Sequence, residues 1–329
     1  MASPADSSAR PARRTLPRPH LALLAALAGA LALSRFADAI DPYYLDVLTG
    51  MGINIILAVS LNLVNGYTGQ FSLGHAGFMS IGAYLSAAVT LFLGPKLLGE
   101  SGGTWIQQDG LFLAALLAGG LTAALAGLVV GVPSLRLKGD YLALVTLGFG
   151  EIIRVVFQNV DALGGALGLN GIPPYTTISW VVAVAAVTIF VVICLVHSTY
   201  GRGFIATRDD EIASGAVGLN TTHYKIVAFV VGAFFAGVAG GLYGHFKMTI
   251  TPTGFDFTKS IEIVVMVILG GMGNTFGVVC AAVLLTLLPE VLRPIAEYRM
   301  VLYSFLLIVL MLVRPQGLFN FQRRGHRQP

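Results

Sequence analysis

Residues 65–84 read NGYTGQFSLGHAGFMSIGAY, a loop-like opening that runs into an apolar segment without shedding its glycines. Gln70, Ser72 and His75 are costly there, because a polar group facing lipid finds no water to bond. Gly69, Gly74, Gly77 and Gly82 allow either of two arrangements. They let a second backbone come close, or they let the helix break so that free N–H and C=O groups face a cavity. On the first reading the polar side chains bond to neighbouring backbones. On the second, Gly69, Gln70, Ser72, Gly74, His75 and Gly77 are candidates for a pathway or a hinge. His75 taken alone reads as a packing histidine before a ligand.

The surroundings of this stretch are membrane. Of 329 residues, 56% are hydrophobic and 11% charged, with a mean hydropathy of +0.80, whereas soluble domains are about 25% charged. The uncharged runs 111–132 and 180–196 approach the roughly 20 residues that cross a bilayer. No stretch is left for a globular domain. Cys194 and Cys280 lie inside apolar segments and read as buried thiols. The six histidines, at 20, 75, 197, 223, 245 and 326, are too scattered for a metal site. Nothing in the chain calls for a cofactor or for nucleic acid.

Hydropathy divides the chain into apolar segments at 20–39, 46–64, 71–93, 111–132, 141–158, 178–196, 225–246, 260–272, 275–292 and 300–313. The expected fold is therefore an all-α polytopic membrane protein of about ten transmembrane or half-spanning helices. Segment 260–272 is the shortest and reads as a half-span or re-entrant piece, joined to the next through GGMGNTFG. The first segment follows RPARRTLPRPH and ends in an A-x-A-like Ala37 to Ala39, as signal peptides do. Its length, and the membrane character of everything after it, favour an uncleaved span. Residues 1–19, rich in Pro, Ser and Arg, read as a disordered cytoplasmic tail. Residues 20–313 form the membrane domain and 314–329 a second cytoplasmic tail.

Basic residues orient this map, since cytoplasmic loops hold the excess of Lys and Arg. With both termini inside, the inner loops collect thirteen of the 20, including Arg136, Lys138, Arg202, Arg208, Lys225 and Arg314. Only Lys96, Lys247, Lys259, Arg293 and Arg299 fall outside.

The longest polar interruption on the inner side is HSTYGRGFIATRDDEIASGAVGLNTTHYK, residues 197–225. Asp209 and Asp210 are expected to start a short helix and Gly218 to end it, with Ile212, Ala216 and Leu219 on one apolar face. Two aspartates and Glu211 suit an anionic lipid surface poorly, so the face is expected to dock on a protein.

This loop resembles the coupling loop of ATP-binding-cassette importer permeases. Glu211, Ala213 and Gly218 are similar to the E-A-A…G signature there, with the spacing departing by one residue. The stretches NLVNGYTGQFSLGHAGFMSIGAY, KGDYLALVTLGFGEIIRVV, IATRDDEIASGAVGLNTTHYK, AFFAGVAGGLY, VVMVILGGMGNTFG and RPQGLF occur in the order seen in branched-chain amino acid permeases of the LivM type, in the LivH/LivM family. The resemblance covers about residues 45–319. It implies a multi-pass translocation subunit in a bacterial inner membrane. It also implies a second related permease, two cytosolic ATPase subunits and an extracytoplasmic binding protein as partners. Leu, Ile and Val are the implied cargo. The implied coupling residues are Arg202, Arg208, Asp209, Asp210, Glu211, Ile212, Ala213, Ala216, Gly218 and Leu219. The chain has no G-x-x-x-x-G-K-[ST] phosphate loop, so it is not expected to hydrolyse ATP unaided.

A second glycine-rich break, LGGMGNTFG at 269–277, adds Gly270, Gly271, Gly273 and Asn274 to the pathway candidates. The two breaks are candidates for equivalence by an inverted repeat, in which transporters place their route at the repeat interface. Ionisable residues within spans are costly unless paired or wet. Glu151 and Arg154, three apart on one helical face, are expected to satisfy each other, while Glu262 has Lys259 one turn before it. Both glutamates are also pathway candidates. Two alternatives stay open: a permease of the same family for urea, amides or other amino acids, and an ion-coupled secondary transporter with Glu151 or Glu262 as its essential carboxylate.

Overall fold

Pro42 opens the first helix of the computed structural model, which describes residues 41–99, 104–134 and 140–293, with isolated positions at 23, 27–30, 305, 308 and 317. Apart from those positions, the expected segments 20–39 and 300–313 and both tails lie outside the described residues, as do Arg136 and Lys138. Helix α1 (Pro42–Asn62) is capped by Asp41, whose Oδ1 accepts from Tyr43 N at 2.9 Å, and Pro at the first helical position needs no such partner. It widens into a π-type turn at Leu63–Tyr67 before the chain becomes irregular over 68–74.

Helix α2 (His75–Ala88) follows, prolonged by a π turn at Val89–Leu93 and a last turn at Gly94–Leu98. Then come α3 (Trp105–Ser134), α4 (Asp140–Gln158), α5 (Ile178–His197), α6 (Thr199–Asp209), α7 (Glu211–Ala216) and α8 (Thr221–Lys247). The described series ends with α9 (Phe257–Gly270) and α10 (Thr275–Val291). Strands β1 (Leu169–Asn170) and β2 (Thr249–Ile250) pair antiparallel, with Leu169 opposite Ile250.

Among the described residues, six helical stretches are long and apolar enough to cross a bilayer: Pro42–Tyr67, His75–Leu97, Trp105–Ser134, Tyr141–Gln158, Ile178–His197 and Thr221–Lys247. Helix α9 has 14 residues, about 21 Å at 1.5 Å per residue, too short to span alone. The turn at residues 271–274 folds α10 back against it. Segments 260–272 and 275–292 are thus two helices packed together.

Helix α8 runs between α2 and α3 and also touches α1, which is flanked by α5, α9 and α10. In lipid no hydrophobic drive pulls helices together, so close backbone approach through small residues must do so. A Cβ added at Gly82 would sit 2.0 Å from the Gly237 carbonyl oxygen, and one at Gly119 would sit 2.7 Å from the Gly82 oxygen. One at Gly240 would lie 1.9 Å from the Met79 oxygen. Three backbones therefore meet where only glycine fits. Outside this contact, Leu117, Leu121, Leu125 and Leu128 of α3 stand exposed at helical spacing, forming an apolar outer stripe.

The bundle has two distinct ends. At one, residues 65–74, 197–220 and 271–274 converge, and Gly317 of the RPQGLF stretch lies against Gly271. At the other, Lys247 faces Asp46 at 3.9 Å, Tyr43 hydroxyl donates to Glu290, Trp180 Nε1 donates to Asp109 at 3.2 Å, and β1 meets β2.

Replacing Gly240 by Val is expected to destabilise the α2–α8 contact by about 1–3 kcal/mol through overpacking. The thermal unfolding midpoint of detergent-purified protein should fall, while Gly50→Ala, whose new methyl would meet nothing within 4 Å, leaves it unchanged. An unaltered midpoint in Gly240→Val would refute this packing account.

Candidate functional site

The two glycine-rich breaks meet. The Gly273 N–H donates to Asn62 Oδ1 at 2.9 Å, and a Cβ added at Gly66 would sit 2.3 Å from that same nitrogen. Asn62, fully buried at the end of α1, is thus spent on the turn between α9 and α10. Tyr67 hydroxyl and Thr275 Oγ1 share a hydrogen bond of 2.9 Å across the same junction. Gly271 and Gly273 carry φ of +90° and +81°, the left-handed region where a Cβ is strained. Asn274 caps α10 by accepting from Gly277 N at 3.2 Å, and Gly270 packs on Val278.

Arg208, the penultimate residue of α6, ties the polar loop to this junction. Its Nη1 donates to the Gly66 carbonyl at 3.3 Å and lies where a Cβ on Gly273 would be, at 2.9 Å. Its Cγ lies over Gly69, which itself needs a φ of +69°. Nε and Nη2 both donate to Asp209 Oδ1, at 3.1 and 3.0 Å, so the guanidinium is held as a fork. One side chain therefore touches residues 66, 69 and 273.

The loop is more structured than its sequence indicates. Helix α6 was not foreseen, and Gly201 and Gly203 lower its helix propensity. Here they are close-packing residues, against the Val196 carbonyl and the Tyr224 ring, and Phe204 is fully buried beside them. Asp209 ends α6 and does not start α7, which corrects the expected helix start. Asp210 alone caps α7, its Oδ1 accepting from Ile212 N and Ala213 N at 2.9 Å each. The expected face of Ile212, Ala216 and Leu219 is split as well. Helix α7 ends at Ala216, and Leu219 lies past it, half-buried, with its N–H on the Ser214 carbonyl. Ile212, Ala213, Ala216 and Val217 stand exposed, Ile212 and Val217 at 78% each. Gly218 turns the chain at φ +90°, and Arg202 is exposed on α6. Glu211 faces inward, its carboxylate 2.7 Å from Nζ of Lys225, which is only 8% exposed.

The remaining candidates are dispersed. Gly74 and Gly77 are close contacts with Thr146 and Gly150 of α4, and Leu73 N donates to Thr146 Oγ1 at 3.0 Å. His75 Nε2 pairs with Ser60 Oγ at 2.9 Å, and Ser72 N donates to Asn65 Oδ1 at 3.2 Å. Gln70 Nε2 donates to Thr68 Oγ1 at 2.9 Å, leaving its buried Oε1 without a protein partner, as are Asn62 Nδ2 and Asn65 Nδ2. Glu151 and Arg154 bridge at 2.7 Å on α4, and Glu262 is held by Lys259 at 2.9 Å on α9, both away from the junction. Sequence reasoning missed Asn62, Asn65 and Gly66. Three asparagines, at 54, 62 and 65, in and just past one largely apolar segment were the available signal.

A family model described as the branched-chain amino acid transport system permease component matches residues 43–313. The chain belongs to that family of permeases. It is 36% identical over 313 residues to the high-affinity branched-chain amino acid transport system permease protein LivM of Salmonella typhimurium, covering 84% of this chain and 70% of the relative. The LivM of Escherichia coli K12 matches to the same extent. The LivH permease of Escherichia coli K12 is 24% identical over 285 residues, covering 80% of this chain and 90% of the relative. No solved structure matches the chain significantly. The permease is accordingly an all-α, multi-pass membrane protein, and its relatives are transport subunits.

Glu211→Lys and Lys225→Glu are each expected to loosen α7 from α8 by about 1–2 kcal/mol, between the values for exposed and fully buried pairs. Limited proteolysis of residues 210–220 in membranes should speed up in both variants and return toward the parental rate in the double charge swap. Equal rates in all four proteins would remove the pair from the account.

Proposed function

We propose that this permease is the translocation subunit of an ATP-driven importer that carries branched-chain amino acids across a bacterial inner membrane. A second, related permease, two cytosolic ATPase subunits and an extracytoplasmic binding protein complete it. Similarity to permeases named both LivM and LivH supports a pair of related membrane subunits. The chain has no phosphate loop of its own, so the engine belongs to a partner.

The observation that carries the reading is Arg208, which joins the polar loop to both helix breaks. Exposed Ile212 and Val217 on and beside α7 are the apolar surface an ATPase groove would receive. The loop faces the cytosol, as the distribution of Lys and Arg favours. A displacement of α6 and α7 draws Arg208 off the Gly66 carbonyl. The Gly66–Gly273 contact then loses one of its ties, and α1 separates from the α9–α10 turn. Between Asn54 and Asn62, about 12 Å of α1, the residues Ile56, Leu57, Val59 and Leu61 are fully buried. These side chains form the septum of the proposed route. Access to the cytosol requires the junction below it to open.

In proteoliposomes holding all partner subunits, leucine uptake is expected to need both ATP and the loaded binding protein. Arg208→Ala should reduce coupled uptake at least tenfold while the ATPase subunits remain attached. Gly218→Pro, which cannot adopt φ +90°, should detach them. Uptake that persists without ATP and collapses with an ion gradient would overturn the reading.

A further inference from the structure

A cavity of about 230 Å³ opens at the end of the bundle opposite the Arg208 junction. It follows one face of α1 from Tyr43 to Asn54, roughly 16 Å of helix. Its opposite walls are the end of α8, the first turn of α9 and the last turns of α10. Its volume is below the roughly 300–1,000 Å³ of pockets for drug-sized ligands, and so suits a small metabolite.

The charges around it balance. Lys247, Lys259 and Arg293, which lies over the Tyr43 ring, supply three cations, and Asp46, Glu290 and the Lys259 partner Glu262 three anions. Lys259 gives two of its three N–H donors to Glu262 and Asn54, at 2.9 and 3.4 Å, which leaves one. Asn54, only 9% exposed, is fixed in turn by donating to Thr286 Oγ1 at 3.0 Å. Lys247 and Asp46 stand 3.9 Å apart, beyond hydrogen-bond reach, with side chains 45% and 61% exposed. Such a loose, wet pair contributes little and exchanges partners readily. The lining also includes apolar Ile53, Met79 and Phe246, the first two almost fully buried.

We propose that this cavity is an entry site for a zwitterionic amino acid with an aliphatic side chain, deepening the import function proposed above, on which it rests. The ligand carboxylate takes the remaining donor of Lys259, its ammonium takes Asp46, since Glu290 already accepts from the Tyr43 hydroxyl, and its side chain lies against Ile53 and Met79. A simple anion or cation would disturb this balance of positive and negative groups, whereas a zwitterion matches both signs at once. Binding in so hydrated a site is weak, and the septum below Asn54 holds the solute until the junction opens.

The test uses the assembled transporter with Cys194→Ala and Cys280→Ala, carrying Gly50→Cys as a reporter. Gly50 lines the cavity and a side-chain atom there meets nothing within 4 Å. Millimolar leucine, the range of a weak site, should slow labelling by a membrane-impermeant maleimide several-fold. 4-Methylpentanoate, which lacks the ammonium, and 3-methylbutylamine, which lacks the carboxylate, should not. Lys259→Met and, independently, the exposed Asp46→Asn should each abolish protection. Labelling that ignores leucine in a preparation that still imports it overturns the site and leaves the import function standing. Equal protection by all three compounds also overturns it, as it would mark a merely apolar pocket. Protection without any ATP-dependent leucine uptake keeps the site and removes the import function.

Discussion

Contact of backbone with backbone, possible only at glycine, is the constraint on which this bundle depends. Hydrocarbon does not drive apolar helices together, so the gain must come from dispersion at short range and from hydrogen bonds. Gly82, Gly119, Gly237 and Gly240 bring α2, α3 and α8 to that range and make them one rigid wall. The same device recurs at the junction, where Gly66 and Gly273 let the end of α1 touch the α9–α10 turn. There the neighbouring groups are polar and less fully satisfied. Asn62 Nδ2, Asn65 Nδ2 and Gln70 Oε1 are buried there without protein partners, against one such atom, Ser80 Oγ, on α2.

That contrast makes motion local. The α2–α3–α8 contact is backbone against backbone, whereas the junction is held by a few hydrogen bonds, Gly273 N to Asn62 and Tyr67 to Thr275 among them, and by one arginine. On the proposed import reading, force applied to α6 and α7 is spent at residues 66, 69 and 273. At the opposite end Lys247 and Asp46 form one loose pair, and buried residues, most of them aliphatic, separate the two ends along α1. In the proposed importer, a septum between two polar regions is what alternating access requires of a resting state.

Much of this was legible in the sequence. Hydropathy located eight of the ten helices among the described residues, since apolar backbone in lipid must satisfy its own polar groups and a helix does so within one segment. The cap of α7 by Asp210 and the turn at Gly218 followed from local rules. Helix α6 was not legible, because its glycines lower helix propensity and their value lies in contacts with Val196 and Tyr224, which belong to other helices. The apolar face expected for α7 failed for a related reason. The helix stops at Ala216, and the chain beyond it turns on Gly218, leaving Leu219 half-buried.

By itself, the sequence determined that this chain lives in a bilayer, where its helices run and where its backbone breaks, because those properties depend on residues close together in the chain. Only the tertiary structure decided that the two breaks touch, that Arg208 joins them, and that Asp46, Lys247, Lys259 and Glu290 surround one cavity. Those residues are as much as 244 positions apart. No local pattern encodes such a meeting. It arises when glycine-bearing helices pack at the distance their backbones allow.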